Sequence, residues 1–127
     1  MGQSDKKVAL DTNMLLAVGQ FKVDIFEEIK NTIGVAKIII PEQVFAEIKG
    51  LGKGNSEDAI AAGIALKLLE QKNIETVKEQ GNADNALLNL SKKGVIVATN
   101  DKALRKRIKD FGGRNIYLRQ KRRLILE

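Results

Sequence analysis

Val8-Ala9-Leu10-Asp11-Thr12-Asn13 decides the fold: three apolar residues run straight into an acid and two hydrogen-bonding side chains. A short unbroken apolar run of this kind suits a strand covered on both faces. The pattern returns near the far end as Val95-Ile96-Val97-Ala98-Thr99-Asn100-Asp101. Between the two, helical and extended stretches alternate. A helix from about Val23 has the apolar stripe Ile25, Phe26, Ile29 and Ile33 and ends at Gly34. Val35 to Ile40 is β-branched and closed by Pro41, the only proline, which suits the first position of a helix carrying Val44, Phe45, Ile48 and Leu51. Ser56 is placed as an N-cap, with Glu57 and Asp58 in the first turn of a helix to about Lys72 whose apolar side is Ile60, Ile64, Leu68 and Leu69.

The second half repeats the alternation. Ile74 to Val77 reads as a strand and Asn82 to Lys93 as a helix stopped by Gly94. Val95 to Thr99 reads as a strand, Lys102 to Phe111 as a helix ended by Gly112-Gly113, and Asn115 to Leu118 as a fifth strand. Leu124-Ile125-Leu126 either adds an edge strand or stays loose. This order predicts an α/β domain over residues 1–127: a Rossmann-like, three-layer α/β/α arrangement with a central, mainly parallel five-stranded sheet. Right-handed crossovers put the C-terminal ends of its strands on one edge, where ligands bind at the reversal of strand order. Asp11 and Asp101 then become neighbours despite their separation in sequence.

What is missing narrows the chemistry. The chain has no histidine and no cysteine, which removes Ser-His-Asp triads, thiol nucleophiles, the usual zinc sets and disulfides. Carboxylates remain, and their oxygens suit hard cations such as magnesium or manganese. Asp11, Asp84 and Asp101 stand at helix starts, where an acid also serves as a cap. Helical phase adds to this: Asp101 shares a stripe with Leu104, Ile108 and Phe111, and Asp84 lies one turn before Leu87 and Leu88. Both acids thus face the core side of a helix mouth, a costly place for an uncompensated charge. Gly50, Gly52 and Gly54 are followed by no Gly-Lys-Ser/Thr, so they form a loop and not a phosphate cradle.

Lysine and arginine number 22 against 16 acids, for a formal charge of +6. Much of the excess follows Asp101, on Arg105, Lys106, Arg107 and Lys109 and on a basic tail from about Arg119. The charge fits a solvated surface or a phosphate backbone. Phe21, Phe26, Phe45, Phe111 and Tyr117 are the only aromatics, and the phenylalanines mostly fall in core stripes. No stacking platform for single-stranded bases is expected, so the domain should discriminate RNA sequence poorly. No segment approaches the roughly 20 apolar residues of a membrane span. The start, Met1 to Lys7, lacks an apolar leader core. A cytoplasmic location is the expectation.

Four segments together resemble the successive motifs of PIN domains, metal-dependent ribonucleases named after the PilT N-terminus. They are Val8 to Asn13, Val44-Phe45-Ala46-Glu47-Ile48, Ala83-Asp84-Asn85-Ala86-Leu87 and Val97 to Asp101. The resemblance implies a PIN-like fold and a divalent-metal-dependent endoribonuclease. Asp11, Glu47, Asp84 and Asp101 would be its catalytic residues and its ligands for one or two magnesium or manganese ions. Thr12, Asn13, Asn85, Thr99 and Asn100 would position ligands or substrate. Lys102, Arg105, Arg119, Lys121, Arg122 and Arg123 would bind RNA.

Within the family, Val95 to Lys109 and Ile116 to Arg123 are most similar to the endonuclease that processes small-subunit precursor ribosomal RNA, in an archaeal form. That similarity implies precursor ribosomal RNA as substrate, with a homodimer and ribosome-assembly proteins as candidate partners. Asn85 stands beside Asp84 where the eukaryotic members of that branch often have a second acid. The toxin of a toxin–antitoxin pair and a non-catalytic RNA-binding scaffold are the alternatives.

Overall fold

A computed structural model describes residues 6–21 and 23–127. Met1 to Asp5, and with them most of the start read as lacking a leader core, lie outside the described residues. The strands are β1 (Lys7–Leu10), β2 (Lys37–Pro41), β3 (Glu75–Val77), β4 (Ile96–Ala98), β5 (Asn115–Arg119) and β6 (Arg123–Leu126). They form one sheet in the order β3-β2-β1-β4-β5-β6. The first five pair in parallel, and β6 returns antiparallel along β5. The expected mainly parallel sheet is present, with six strands where five were expected. The sixth arises because Gln120 and Lys121 adopt φ of 54° and 57°, a tight turn that brings Leu124 to Leu126 back onto the free edge of β5.

Strand alternation divides the core into two layers. Val8 and Leu10 face a cluster built with α1 (Thr12–Gln20), α2 (Ile25–Ile33), α3 (Glu42–Leu51) and α4 (Glu57–Gln71). Ala9, Ile39 and Val97 face a second cluster under α5 (Ala83–Lys92) and α6 (Lys102–Asp110). Three layers result. The Ser56 cap matches the sequence, accepting from Ala59 N–H at 3.1 Å; Asp24 caps α2 as well, accepting from Glu27 N–H at 3.0 Å.

Helix α1 carries no periodic stripe, because Met14, Leu15, Leu16 and Ala17 are all buried between the sheet and its neighbouring helices. One packing detail differs from expectation. On α4 the buried residues are Ala59, Ala61, Ala62, Ala65 and Leu69, whereas Ile60 and Ile64 are 60% and 40% exposed. The cause is a close approach of backbones. A Cβ added at Gly19 of α1 would lie 2.8 Å from Ala61 Cα, so only small side chains fit between these helices.

Candidate active site

β1 and β4 are adjacent and parallel, so Asp11 and Asp101 leave the sheet side by side where strand order reverses. The Asp11 N–H donates to Ala98 O at 3.1 Å, extending the ladder by one bond. Asp11 Oδ1 accepts the Met14 N–H at 2.7 Å and caps α1. Its Oδ2 accepts the Thr99 hydroxyl. Thr99 is wholly buried, and its Oγ1 accepts the Asp101 N–H at 3.1 Å. Asp101 Oδ1 in turn accepts the Leu104 N–H at 3.0 Å and caps α6. One buried threonine therefore orients two acids from separate strands.

The other acids come from helices. Glu47 lies on α3, and the Thr12 hydroxyl donates to its Oε2 at 3.0 Å. Asp84 sits in the first turn of α5, a helix capped by Asn82, whose Oδ1 accepts the Asn85 N–H at 2.8 Å. Gln43, one turn before Glu47, donates from Nε2 to Glu79 O at 2.7 Å and Gly81 O at 2.8 Å. It thereby holds the segment that leads into α5. Asp11, Glu47, Asp84 and Asp101 all line one cavity of about 290 Å³, together with Thr12 and Asn13.

Asp58 lines the same cavity, held by Gln20 Nε2 at 3.1 Å. The sequence assigned it only to the first turn of α4. No local signal distinguishes it from Glu57, and only the packing of α4 against α1 brings it there. Gln43 was missed for the same reason.

Charge in the cavity is poorly compensated. The Asp11 carboxyl is pushed up from 3.8 to about 6, chiefly by burial. Bonds from Thr99 and Met14 pull it down, and the nearby Asp101 and Asp84 push it further up. An all-oxygen donor set under mutual repulsion fits a hard divalent cation chemically. The starts of α1 and α6 add partial positive charge beside it. The expected closed cage is not preformed: among the described residues no three acids stand close enough to hold an ion as placed. Asp11 and Asp101 are instead held by helix caps and Glu47 by Thr12. Glu47, Asp84 and Asp101 are solvent-exposed, so their side chains can turn at small cost.

Several other expected site residues have structural work. Asn100 donates to Leu118 O at 2.9 Å and accepts its N–H at 2.7 Å, so its amide pins β5. Thr99 is wholly buried and touches Asp11 and Asp101. Asn85 is absent from the cavity lining and packs against Gly81. Arg105 is committed to Glu127, with Nε and Nη2 at 2.7 and 2.9 Å from its carboxylate oxygens, and stacks over Tyr117 at 3.8 Å. This pairing holds the Glu127 carboxyl down at about 2 and removes Arg105 from a free RNA-binding set. Lys102, Arg119, Lys121, Arg122 and Arg123 remain exposed, on the same sheet edge as the acids. Among the described residues no helix is long and apolar enough to cross a membrane.

Comparison with known proteins agrees with this geometry. A family described as "PIN like domain" matches residues 8–121. Ribonuclease VapC9 of Archaeoglobus fulgidus is 32% identical over 120 residues, covering 93% of this chain and 87% of that protein. Ribonuclease VapC4 of Methanocaldococcus jannaschii is 32% identical over 123 residues, covering 91% and 92%. A solved domain of a functionally unknown protein from Methanocaldococcus jannaschii superposes with a TM-score of 0.65 at 23% identity, over 90% of this chain and 91% of that one. At that identity the likeness concerns the fold alone.

Proposed function

The chain belongs to the PIN domain family, and from that premise we propose that it is a divalent-metal-dependent endoribonuclease of the toxin type, one half of a cytoplasmic toxin–antitoxin pair. The observation that carries the nuclease reading is the convergence of Asp11, Glu47, Asp84 and Asp101 on one cavity at the C-terminal sheet edge. Two relatives named as VapC ribonucleases, each matched over about nine-tenths of this chain, support the toxin type over ribosomal RNA processing. The segments that suggested the ribosomal branch, Val95 to Lys109 and Ile116 to Arg123, lie almost wholly within the general family match. Arg105, part of that likeness, is moreover tied to Glu127. Ribosomal RNA processing thus rests on sequence likeness alone.

The reaction is hydrolysis of a phosphodiester, with water adding to phosphorus and the bond to the 3′ oxygen breaking to leave a 5′-phosphate and a 3′-hydroxyl. A bound magnesium or manganese ion supplies activation of that water and charge neutralisation at the phosphate. The chain's own contribution is placement. Thr99 fixes the facing of Asp11 and Asp101, Thr12 fixes Glu47, and Gln43 fixes the approach to Asp84. The exposed lysines and arginines draw the polyanion to an edge whose acids alone would repel it.

Induced expression in a bacterial or archaeal host tests the toxin type. The wild type is expected to arrest growth, and an Asp101→Asn form is not. Growth unaffected by an active, soluble wild type would remove the toxin reading and return ribosomal RNA processing to first place.

A further inference from the structure

We propose that the depression between α1 and the end of β5 is a subsite for one nucleobase of a single-stranded RNA, next to the phosphate that is cut. This rests on the nuclease reading above and adds how the substrate is held. The depression has a volume of about 150 Å³, and its lining includes Asn13, Gln20, Phe21 and Leu118. That is too small for a whole nucleotide and suits one planar ring system. Asn13 also lines the carboxylate cavity, so the two spaces share a wall. A base here belongs to a nucleotide adjoining the carboxylates.

Its chemistry matches a base. Phe21 is only half-buried and offers a ring at the rim. Lys121 Nζ sits 5.0 Å from the centre of that ring, where it can meet the phosphate of a base stacked on Phe21. Met14 and Leu118 form an apolar floor. Among the described residues the Asn13 amide has no hydrogen-bond partner, and Gln20 uses only its Nε2 on Asp58. A free carboxamide beside a stacking ring can read a base edge.

The backbone supports the same assignment. Gln120 and Lys121 hold φ of 54° and 57° in consecutive positions, a conformation that favours glycine or asparagine. A non-glycine pair kept in such a turn carries strain, and here the strained turn delivers Lys121 to Phe21. From the acids, the line through Asn13, Phe21 and Lys121 leads to exposed Arg119 and Arg122. Strand and charge therefore follow one path along the sheet edge.

The test uses short single-stranded RNAs carrying 2-aminopurine at one position at a time, in EDTA so that nothing is cut. Wild type and Phe21→Tyr are expected to quench one position strongly. Phe21→Leu, which keeps the packing, should lose that quenching and bind about tenfold more weakly. Replacing Gln120-Lys121 by Asn-Gly, which relaxes the turn, should also weaken binding. Equal quenching by wild type and Phe21→Leu, or none with any protein, would overturn the subsite and leave the depression to a protein partner. Cleavage of the same RNAs with manganese is a separate arm: quenching without cleavage would sink the nuclease reading and keep the subsite.

Discussion

Replacing Asp11 by asparagine should make the metal-free protein more stable at neutral pH and less stable in acid. Asp11 is 8% exposed, and its carboxyl titrates near 6 instead of 3.8. A raised folded value means the native state holds a proton that the unfolded chain has released. The penalty is absent below about 3.8, grows as pH rises, and is complete above about 6. Its full size is about 3 kcal/mol. Asparagine carries no charge and keeps an oxygen for the Met14 N–H, so the α1 cap survives. Its NH₂ cannot accept the Thr99 hydroxyl, a loss of about 1 kcal/mol.

The net gain for Asp11→Asn is therefore about 2 kcal/mol near pH 7.5, or roughly 5–10 °C in melting temperature. Near pH 4 the sign reverses, to a loss of about 0.5 kcal/mol. Urea denaturation in EDTA at both pH values reads the difference directly. A variant destabilised equally at both would refute the claim that burial and neighbouring acids strain Asp11.

Magnesium or manganese should raise the melting temperature of the wild type and leave Asp101→Asn unmoved in thermal scans; equal shifts would remove Asp101 as a ligand. Replacing Arg119, Lys121, Arg122 and Arg123 by alanine should flatten the salt dependence of RNA binding by a log–log slope of about 0.7 per lost phosphate contact. Arg105→Ala should leave that slope unchanged in the same titration and cost about 1 kcal/mol of stability, because Glu127 loses its two-pronged partner but keeps Asn115 and Lys109. Gly19→Ala should destabilise by about 1–3 kcal/mol in urea titration, since its methyl group would meet Ala61 Cα at 2.8 Å.

The parts of the fold legible in sequence were those set by local pattern. Strand β1 and its acid, the caps Ser56 and Asp101, and the handed crossovers together predict that Asp11 and Asp101 meet. What stayed hidden depends on partners. Ile60 and Ile64 outrank alanine in any reading of apolar stripes, yet alanines fill the buried side of α4 because Gly19 admits close contact. Phe111 shares a helical phase with Leu104 and Ile108 but lies past the last turn of α6, 59% exposed, with Lys92 over its ring. Asp58 is one of two adjacent acids in a first turn, and only tertiary packing separates their roles. Arg105 looks like any basic residue until Glu127 folds back beside it.

The central claim, a carboxylate-cavity ribonuclease, is tested most directly by RNA cleavage with manganese or magnesium, with EDTA and with Asp84→Asn alongside. Asp84 is exposed and caps no helix, so the variant should keep its fold by circular dichroism. Metal-dependent cutting that leaves 5′-phosphate ends and vanishes in EDTA and in Asp84→Asn is the predicted result. Cleavage that persists in EDTA, or at full rate in Asp84→Asn, would contradict the account.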